Sequence, residues 1–536
     1  MLVVVLAFFA FVACDKTNEQ DLTAAASGLT FEIILAIFTV FAFCFVYYKL
    51  ATMYARNNVF VNFDNTPSND KAEPLVSKKK ASSAKSGKKN VSSGSFFGNT
   101  FVVLAGLLLV TVLVRLVLIL TTYGVGGSTS SILHVASVLK EQGITDFVAY
   151  YSNTVYIAPG TLYILNIIGA TGLDEKSASI LLRFVNVFAD MATVSLVYFY
   201  GKKYVGNRIS TLFAGLYAVL PIAMYFGGIH YLFESVLVAL MLGAVVMLVE
   251  KKYLTTYLLL ALATVLDVRA MLLMPIALTY MGYMYYRDNE SMKKFTANRA
   301  KIVFGLLGFA VVIYLLSLPV AINQVAAGDP FFGFKYMAGK IMTNEIFVTD
   351  SFNLYAMVGM NLKSLSNESV KYLNLAFILV LEIFGATMYF KNRNRQEILL
   401  LVSCVLAVVA VFTLKTDWTY LFLAIVFALV YAMVSGEKRV FFVVGAYSLI
   451  GFLNIAQLLY IGDAFANDAN MNIVNFAEKD AFLITFSVIA VLLTGYFVYV
   501  VYSITTNGKI VDIKAIEGSF KDNLKNMLKR KPKKTK

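Results

Sequence analysis

The sequence predicts an all-α polytopic membrane protein, with about 12 core transmembrane helices and an external subdomain on the first loop. One or two further hydrophobic segments precede this bundle. Three observations predict it. Hydrophobic residues make up 59% and charged residues 15% of the 536 residues, against about 45–50% and about 25% in soluble domains. The mean hydropathy is +0.73, and many apolar windows reach the roughly 20 residues that a spanning helix needs. Lys and Arg gather in short segments between the apolar runs, as the positive-inside rule requires. That placement also explains the net charge of +14 without nucleic acid, which is excluded as a partner.

The elements follow in order. The run MLVVVLAFFAFVAC, with Asp15 after it, opens a hydrophobic N-terminal segment over 1–29. It reads as a cleaved signal or short anchor, or as a lipidation site at Cys14 with Phe11 in the usual Leu position. Residues 30–50 form a transmembrane helix. Residues 51–98 carry Lys71, Lys78, Lys79, Lys80, Lys85, Lys88 and Lys89 among serines, and read as a cytoplasmic linker too polar to bury a core. Cys44 and Cys404 lie inside apolar runs as small hydrophobes, and no zinc or disulfide spacing is present.

The transmembrane domain is placed at 99–503. Its first span, 99–122, leads to an external subdomain at 123–180, and 181–200 returns to Lys202, Lys203 and Arg208. Spans at 209–228 and 231–250 form a hairpin ending at Lys251 and Lys252. Segments 254–267 and 270–286 go out and back to Arg287, Lys293 and Lys294. The span at 302–323 opens a second external segment, 324–370, and 371–390 returns to Lys391, Arg393 and Arg395. Spans 397–413 and 419–435 precede Lys438 and Arg439. Finally 440–461 and 481–503 flank an acidic outer loop and deliver a basic cytoplasmic tail at 504–536.

Every dense basic cluster falls on one side only if Val155–Gly172 does not cross. That stretch, VYIAPGTLYILNIIGATG, is broken by Ala158-Pro159-Gly160 and by Gly169 to Gly172. It reads as an interfacial or re-entrant helix of the external subdomain, where irregular backbone is tolerated against protein or a cavity.

Several stretches resemble the GT-C glycosyltransferases, membrane enzymes that use polyprenyl-phosphate sugars. LLRFVNVFADMATVSLVYFYGKKYVGNR is similar to the family's Arg-led helix, with Arg183 and Asp190. LFAGLYAVLPIAMYFGG resembles the following helix, and YIAPGTLYILNIIG its Tyr-Pro-Pro helix, which makes Tyr156 a substrate-binding candidate. GDPFFGFKYMAGK and SFNLYAMVGMN resemble the second external segment of bacterial mannosyltransferase-like members. The likeness covers roughly residues 99 to 435 and implies a GT-C-like bundle. The family's acidic positions are substituted: Ser128 to Ser130 stand after the first core helix, and Thr154 and Val155 before the Tyr-Pro-Pro-like turn. GGIHYLFES keeps a carboxylate as Glu234, Asp267 and Arg269 stand in LDVRAMLLMP, and Asp417-Trp418-Thr419-Tyr420 replaces a His-Glu-Arg-Tyr signature.

A GT-C reaction requires a base for the acceptor and a cation for the leaving lipid phosphate. The catalytic candidates are Asp146, an acid in the segment after the core helix, and Glu234, at the mouth of a span. Asp267 and Arg269 are the substrate-binding pair, a guanidinium for phosphate oriented by a carboxylate, or else a structural ion pair at a helix corner. The only histidines are His134 and His230, and His230 joins the substrate-binding set. With Glu234 one turn away it also suggests a metal, but two distant histidines do not make a metal site, and none is expected. Arg183 and Asp190, two turns apart on one face, read as bundle-stabilising.

The leading expectation is a membrane glycosyltransferase that transfers a mannose-like hexose from a polyprenyl-phosphate sugar to an extracytoplasmic acceptor. The membrane is the plasma membrane, or the endoplasmic reticulum in a eukaryote. The alternatives are a catalytically inactive GT-C homologue serving as scaffold, partner subunit or lipid-binding protein, and a lipid or solute transporter. No cofactor is expected beyond the lipid-linked sugar. Membrane lipid is a partner in every case, and a protein partner stays open.

Overall fold

A computed structural model describes residues 100–121, 129–151, 157–287, 292–343, 346–365, 368–392, 394–461 and 476–507. The N-terminal segment, the helix at 30–50, the linker at 51–98 and the tail beyond Asn507 lie outside the described residues. So do Tyr156 and Asn367, the first residue of an Asn-Glu-Ser glycosylation sequon at 367–369.

Helix α1, Thr100–Thr121, is apolar along its length except for Arg115 and a few threonines. Helices α2, Thr129–Tyr151, and α3, Pro159–Ala170, form the subdomain that follows. Asp174 then caps the long helix α4, Glu175–Val205, by accepting from the Ser177 N–H, and that hydrogen bond holds its carboxyl below the usual range. Next come α5, Asn207–Ala218, α6, Pro221–Gly228, α7, Glu234–Val249, and α8, Tyr253–Leu266. A 3-10 turn, Val268–Leu272, leads into α9, Leu273–Arg287, and α10 is Met292–Ala326. Helix α11, Phe332–Thr343, strand β1, Val348–Thr349, and the single turn α12, Leu354–Met357, precede α13, Glu368–Asn392. Helix α14, Glu397–Phe412, strand β2, Thr416–Asp417, α15, Tyr420–Ser435, α16, Lys438–Ile461, and α17, Ala481–Asn507, complete the order.

Among the described residues the fold is all-helical apart from a short parallel pairing, Val348 with Thr416 and Thr349 with Asp417, and two isolated bridges beside it. Among the described residues six helices are long and apolar enough to cross a membrane, or seven if the bent pair α5–α6 is one span. The chain is thus a multi-pass membrane protein, and the expected count of about 12 core spans is corrected downward. The physical reason is helix length. The apolar helices α7, α8, α14 and α15 have 16, 14, 16 and 16 residues. At 1.5 Å per residue these reach about 21–24 Å, against a hydrocarbon core of about 30 Å. Polar turns interrupt apolar runs that hydropathy alone reads as full spans.

One predicted span, 209–228, is broken. Helix α5 stops at Ala218, and Pro221 starts α6 at an angle of 57°. Proline lacks the N–H that would extend the ladder, and suits the first turn of a new helix.

The stretch Val155–Gly172 resolves into α3, 12 residues long, about 18 Å and too short to cross. It buries Pro159, Leu162, Leu165 and Ile168 in a single stripe, and packs on α2, α8, α10 and α4. The hydroxyl of Tyr163 donates to the Leu316 carbonyl, in the turn of α10 that Pro319 leaves short of a donor.

Helices α14 and α15 sit at the centre, buried along nearly their whole length and packed on each other. The basic turns gather at one end. There Lys203 pairs with Glu250, the Tyr204 hydroxyl donates to Glu250 at 3.0 Å, and Lys202 donates to Thr100.

Candidate functional site

Away from the basic turns, three segments converge on Arg269. Helix α8 closes with the Asp267 N–H donating to Ala263 at 2.8 Å. Asp267 itself is extended, and its Oδ1 accepts from the Arg269 N–H at 2.8 Å. This is the local preference of an Asp at the start of a turn. It folds the guanidinium back over the helix end, where Nη2 donates to Asp267 Oδ2 at 2.8 Å and to Glu234 Oε1 at 2.7 Å. Nη1 donates to Thr419 Oγ1 at 2.8 Å, and the Tyr420 ring centroid lies 4.7 Å from Cζ. Arg269 and Asp267 are each 8% exposed and Glu234 3%. A charge so buried is stable only when paired, and here it is.

Glu234 begins α7, where a carboxylate suits the helix N-terminus. The loop before it is held from α4. Asn186 donates to the carbonyls of His230 at 3.3 Å and Leu232 at 2.8 Å, and Arg183 Nη1 donates to Gly228 at 3.4 Å. The Leu232 N–H donates to His230 Nδ1 at 3.2 Å, so in the neutral ring Nε2 carries the proton. The His230 ring stands edge-on to Trp418 at 4.9 Å and to Phe226 at 5.2 Å.

The third segment is the loop between α14 and α15. Asp417 Oδ1 accepts from the N–H and hydroxyl of Thr419, which fixes the hydroxyl that meets Arg269. The loop is anchored from the segment after α11. Asn353 Nδ2 donates to Ala410 O at 3.2 Å, Thr413 O at 2.9 Å and Thr416 Oγ1 at 2.8 Å. Asp350 beside it accepts from Asn361 at 3.0 Å and from the Phe476 N–H at 2.9 Å. Burial pushes the Asp350 carboxyl up while these hydrogen bonds oppose the shift. Replacing Asn353 by alanine strands buried carbonyls, and is expected to cost about 1–3 kcal/mol. A matching fall in thermal stability in detergent checks this, with Asn353→Asp as the variant that keeps the shape.

The subdomain lies across this end. Gly160 sits so close to α8 that a Cβ there would stand 2.9 Å from the Leu266 Cα, one residue before Asp267. Only glycine allows that approach, which accounts for the Pro-Gly break. The Tyr336 hydroxyl, on α11, donates to the Ile157 carbonyl at 2.8 Å, and α11 also packs on the 3-10 turn of Arg269.

Glu234 Oε2, Arg269 Nε and His230 Nε2 are among the buried polar atoms here that have no hydrogen-bond partner among the described residues. They offer one acceptor and two donors. Asp417 adds a third, partly exposed carboxylate within electrostatic range of Glu234. Such a set suits a ligand rich in hydroxyls. Among the described residues, no three His, Cys, Asp or Glu side chains are arranged to hold a metal ion.

Of the sequence candidates, Glu234, Asp267, Arg269 and His230 are brought together. Asp146 falls within α2, but its side chain, like the whole of Tyr156, lies outside the described residues. Thr419 and Tyr420 are not among the sequence candidates, although they belong to the DWTY stretch. Nothing in the sequence joins Thr419 to Arg269, 150 positions away. His134 is elsewhere, lining a cleft of about 690 Å³ with Ser137, Lys140 and Gly169, between α2, α3 and the start of α4. Asp190 meets Arg115 on α1 at 2.7 Å, both fully buried, as a bundle-stabilising role requires. No protein-family model matches the chain, and no curated protein matches it in sequence.

Proposed function

We propose that the protein is a membrane glycosyltransferase of the GT-C kind, acting on a polyprenyl-phosphate hexose at the end of the bundle that holds Arg269. The observation that carries this reading is Glu234: one oxygen is held by Arg269, and the other is buried without a partner. A carboxylate fixed through one oxygen and unpaired at the other is the arrangement a general base needs. In the reaction, the acceptor hydroxyl oxygen bonds to the sugar's anomeric carbon as the bond from that carbon to the phosphate oxygen breaks. The hydroxyl proton passes to Glu234 Oε2, and polyprenyl phosphate leaves with the bonding electron pair. Arg269 Nε and His230 Nε2 are donors that remain for substrate oxygens.

The second reading is a catalytically silent homologue. It is favoured by the hydrogen bonds of both terminal nitrogens of Arg269 to Glu234, Asp267 and Thr419, which leave a lipid phosphate only Nε and the second Nη1 hydrogen, not a free two-pronged fork. Transfer of hexose from a polyprenyl-phosphate mannose or glucose by the purified protein separates the two. Under the leading reading Glu234→Gln lowers the rate at least about 100-fold, the scale of general-base catalysis. Glutamine keeps the oxygen that Arg269 holds, so folded protein is retained. Equal rates for Glu234→Gln and the parent protein would end the base assignment.

A further inference from the structure

Trp418 is the only tryptophan in the chain, and it lies between the two residues that build the Arg269 centre from this loop, Asp417 and Thr419. Its indole is fixed by its neighbours. Phe226 lies parallel to it, with centroids 5.6 Å apart and planes at 10°, and Phe422 continues the stack behind Phe226 at 4.8 Å. His230 and Tyr225 meet it edge-on, at 4.9 and 5.6 Å. These neighbours are buried, whereas Trp418 keeps part of its surface exposed, as does Asp417. An aromatic ring held rigid by its neighbours and still partly exposed loses little entropy when a ligand stacks on it.

The surrounding polar atoms narrow the ligand. Beside the indole lies His230 Nε2, a buried donor with no partner, and within electrostatic range of that ring is Arg269, whose Nε is also unpaired. Glu234 Oε2 supplies an unpaired acceptor, and Asp417 a carboxylate whose Oδ1 alone is engaged by Thr419. A flat apolar surface ringed by separate donors and acceptors complements a pyranose, which presents C–H groups on its face and hydroxyls around its edge. A bare lipid phosphate has no use for the indole, and an apolar chain has none for the unpaired donors.

We propose that Trp418 is the stacking platform for the hexose ring of the lipid-linked substrate, with Asp417 and His230 taking its hydroxyls. The inference rests on the glycosyl substrate proposed above, but it requires binding only, not transfer. The single tryptophan makes the test direct: its emission is recorded in the full-length protein in detergent. Polyprenyl-phosphate mannose is expected to change the emission saturably, and polyprenyl phosphate lacking the sugar is expected to leave it unchanged. In a radiolabelled binding assay Trp418→Ala should weaken polyprenyl-phosphate mannose about tenfold, the effect of one lost aromatic contact. Trp418→Phe, which keeps a ring, should restore most of the binding and guards against misfolding of the alanine variant. Emission that does not respond to the mannosyl lipid, or responds equally to the sugar-free lipid, overturns the platform, and so does unchanged binding by folded Trp418→Ala. If transfer occurs under any of those results, the enzyme reading survives and the platform alone fails. A response to the mannosyl lipid without transfer keeps the platform and removes the enzyme.

Discussion

Replacing Arg269 by alanine is expected to cost about 3–5 kcal/mol, the penalty for breaking a buried ion pair, and so to remove most folded protein from a detergent extract. The geometry explains the size. The guanidinium is hydrogen-bonded to both Glu234 and Asp267, and it also holds Thr419, so its loss takes a shared cation from two buried carboxylates at the mouth of the bundle. Lysine keeps the charge but reaches as a point rather than a fork, so Arg269→Lys should fall between. The control is Arg269→Met combined with Glu234→Gln and Asp267→Asn, which removes the charges together and should recover folded protein. Monodispersity and thermal unfolding of the four proteins check the order. Full stability of Arg269→Ala would mean that the network contributes nothing to the fold.

Asp190→Ala is expected to be comparably severe. Asp190 lies deep in α4, where Oδ2 accepts from Arg115 Nε at 2.7 Å and Oδ1 from the Tyr217 hydroxyl at 2.7 Å. Arg115 Nη1 reaches on to the Ala218 carbonyl at 2.5 Å, at the point where α5 breaks. Without Asp190 a guanidinium stays unpaired inside the bundle, at about 2.5–3.5 kcal/mol on insertion scales, and the break loses its clamp. Gly227→Ala probes the same place from outside, since a Cβ there would stand 2.1 Å from Asp190 Oδ2. The double variant Arg115→Met/Asp190→Leu should be more stable than Asp190→Ala, because no charge is left behind. Unfolding temperatures in detergent report the order, and a double variant no better than the single one would show that the clamp on Ala218 matters more than the charge.

The sequence exposes some of this and hides the rest for definite reasons. Asp267, Arg269 and Glu234 are legible because an ionised group inside an apolar run is costly and stands out. Their mutual contact is not, because Glu234 and Arg269 are separated by helices α7 and α8, whose pairing no local pattern encodes. The pairing of Arg115 with Asp190 is hidden for the same reason, since the two lie 75 positions apart. The shortness of Val155–Gly172 could be read from Pro159 and the glycines. The number of spans could not, because hydropathy measures how apolar a run is and not where its hydrogen-bond ladder stops, as at Val219–Pro221. The pairing of Val348 with Thr416 has no sequence signature, being only two residues long.

The placement of Glu234 and Arg269 also bears on how the chain is made. They lie 35 positions apart, on either side of one helical hairpin, whereas Thr419 follows 150 positions after Arg269. During synthesis the hairpin emerges whole long before the α14–α15 loop exists. The cation can therefore find its carboxylates while that hairpin is still entering the bilayer, and need not cross into lipid as a bare charge. Thr419 and the indole next to it arrive on a centre that is already electrostatically paired, so the last step of assembly adds a hydroxyl, an aromatic wall and the partly exposed Asp417 rather than a buried bare cation.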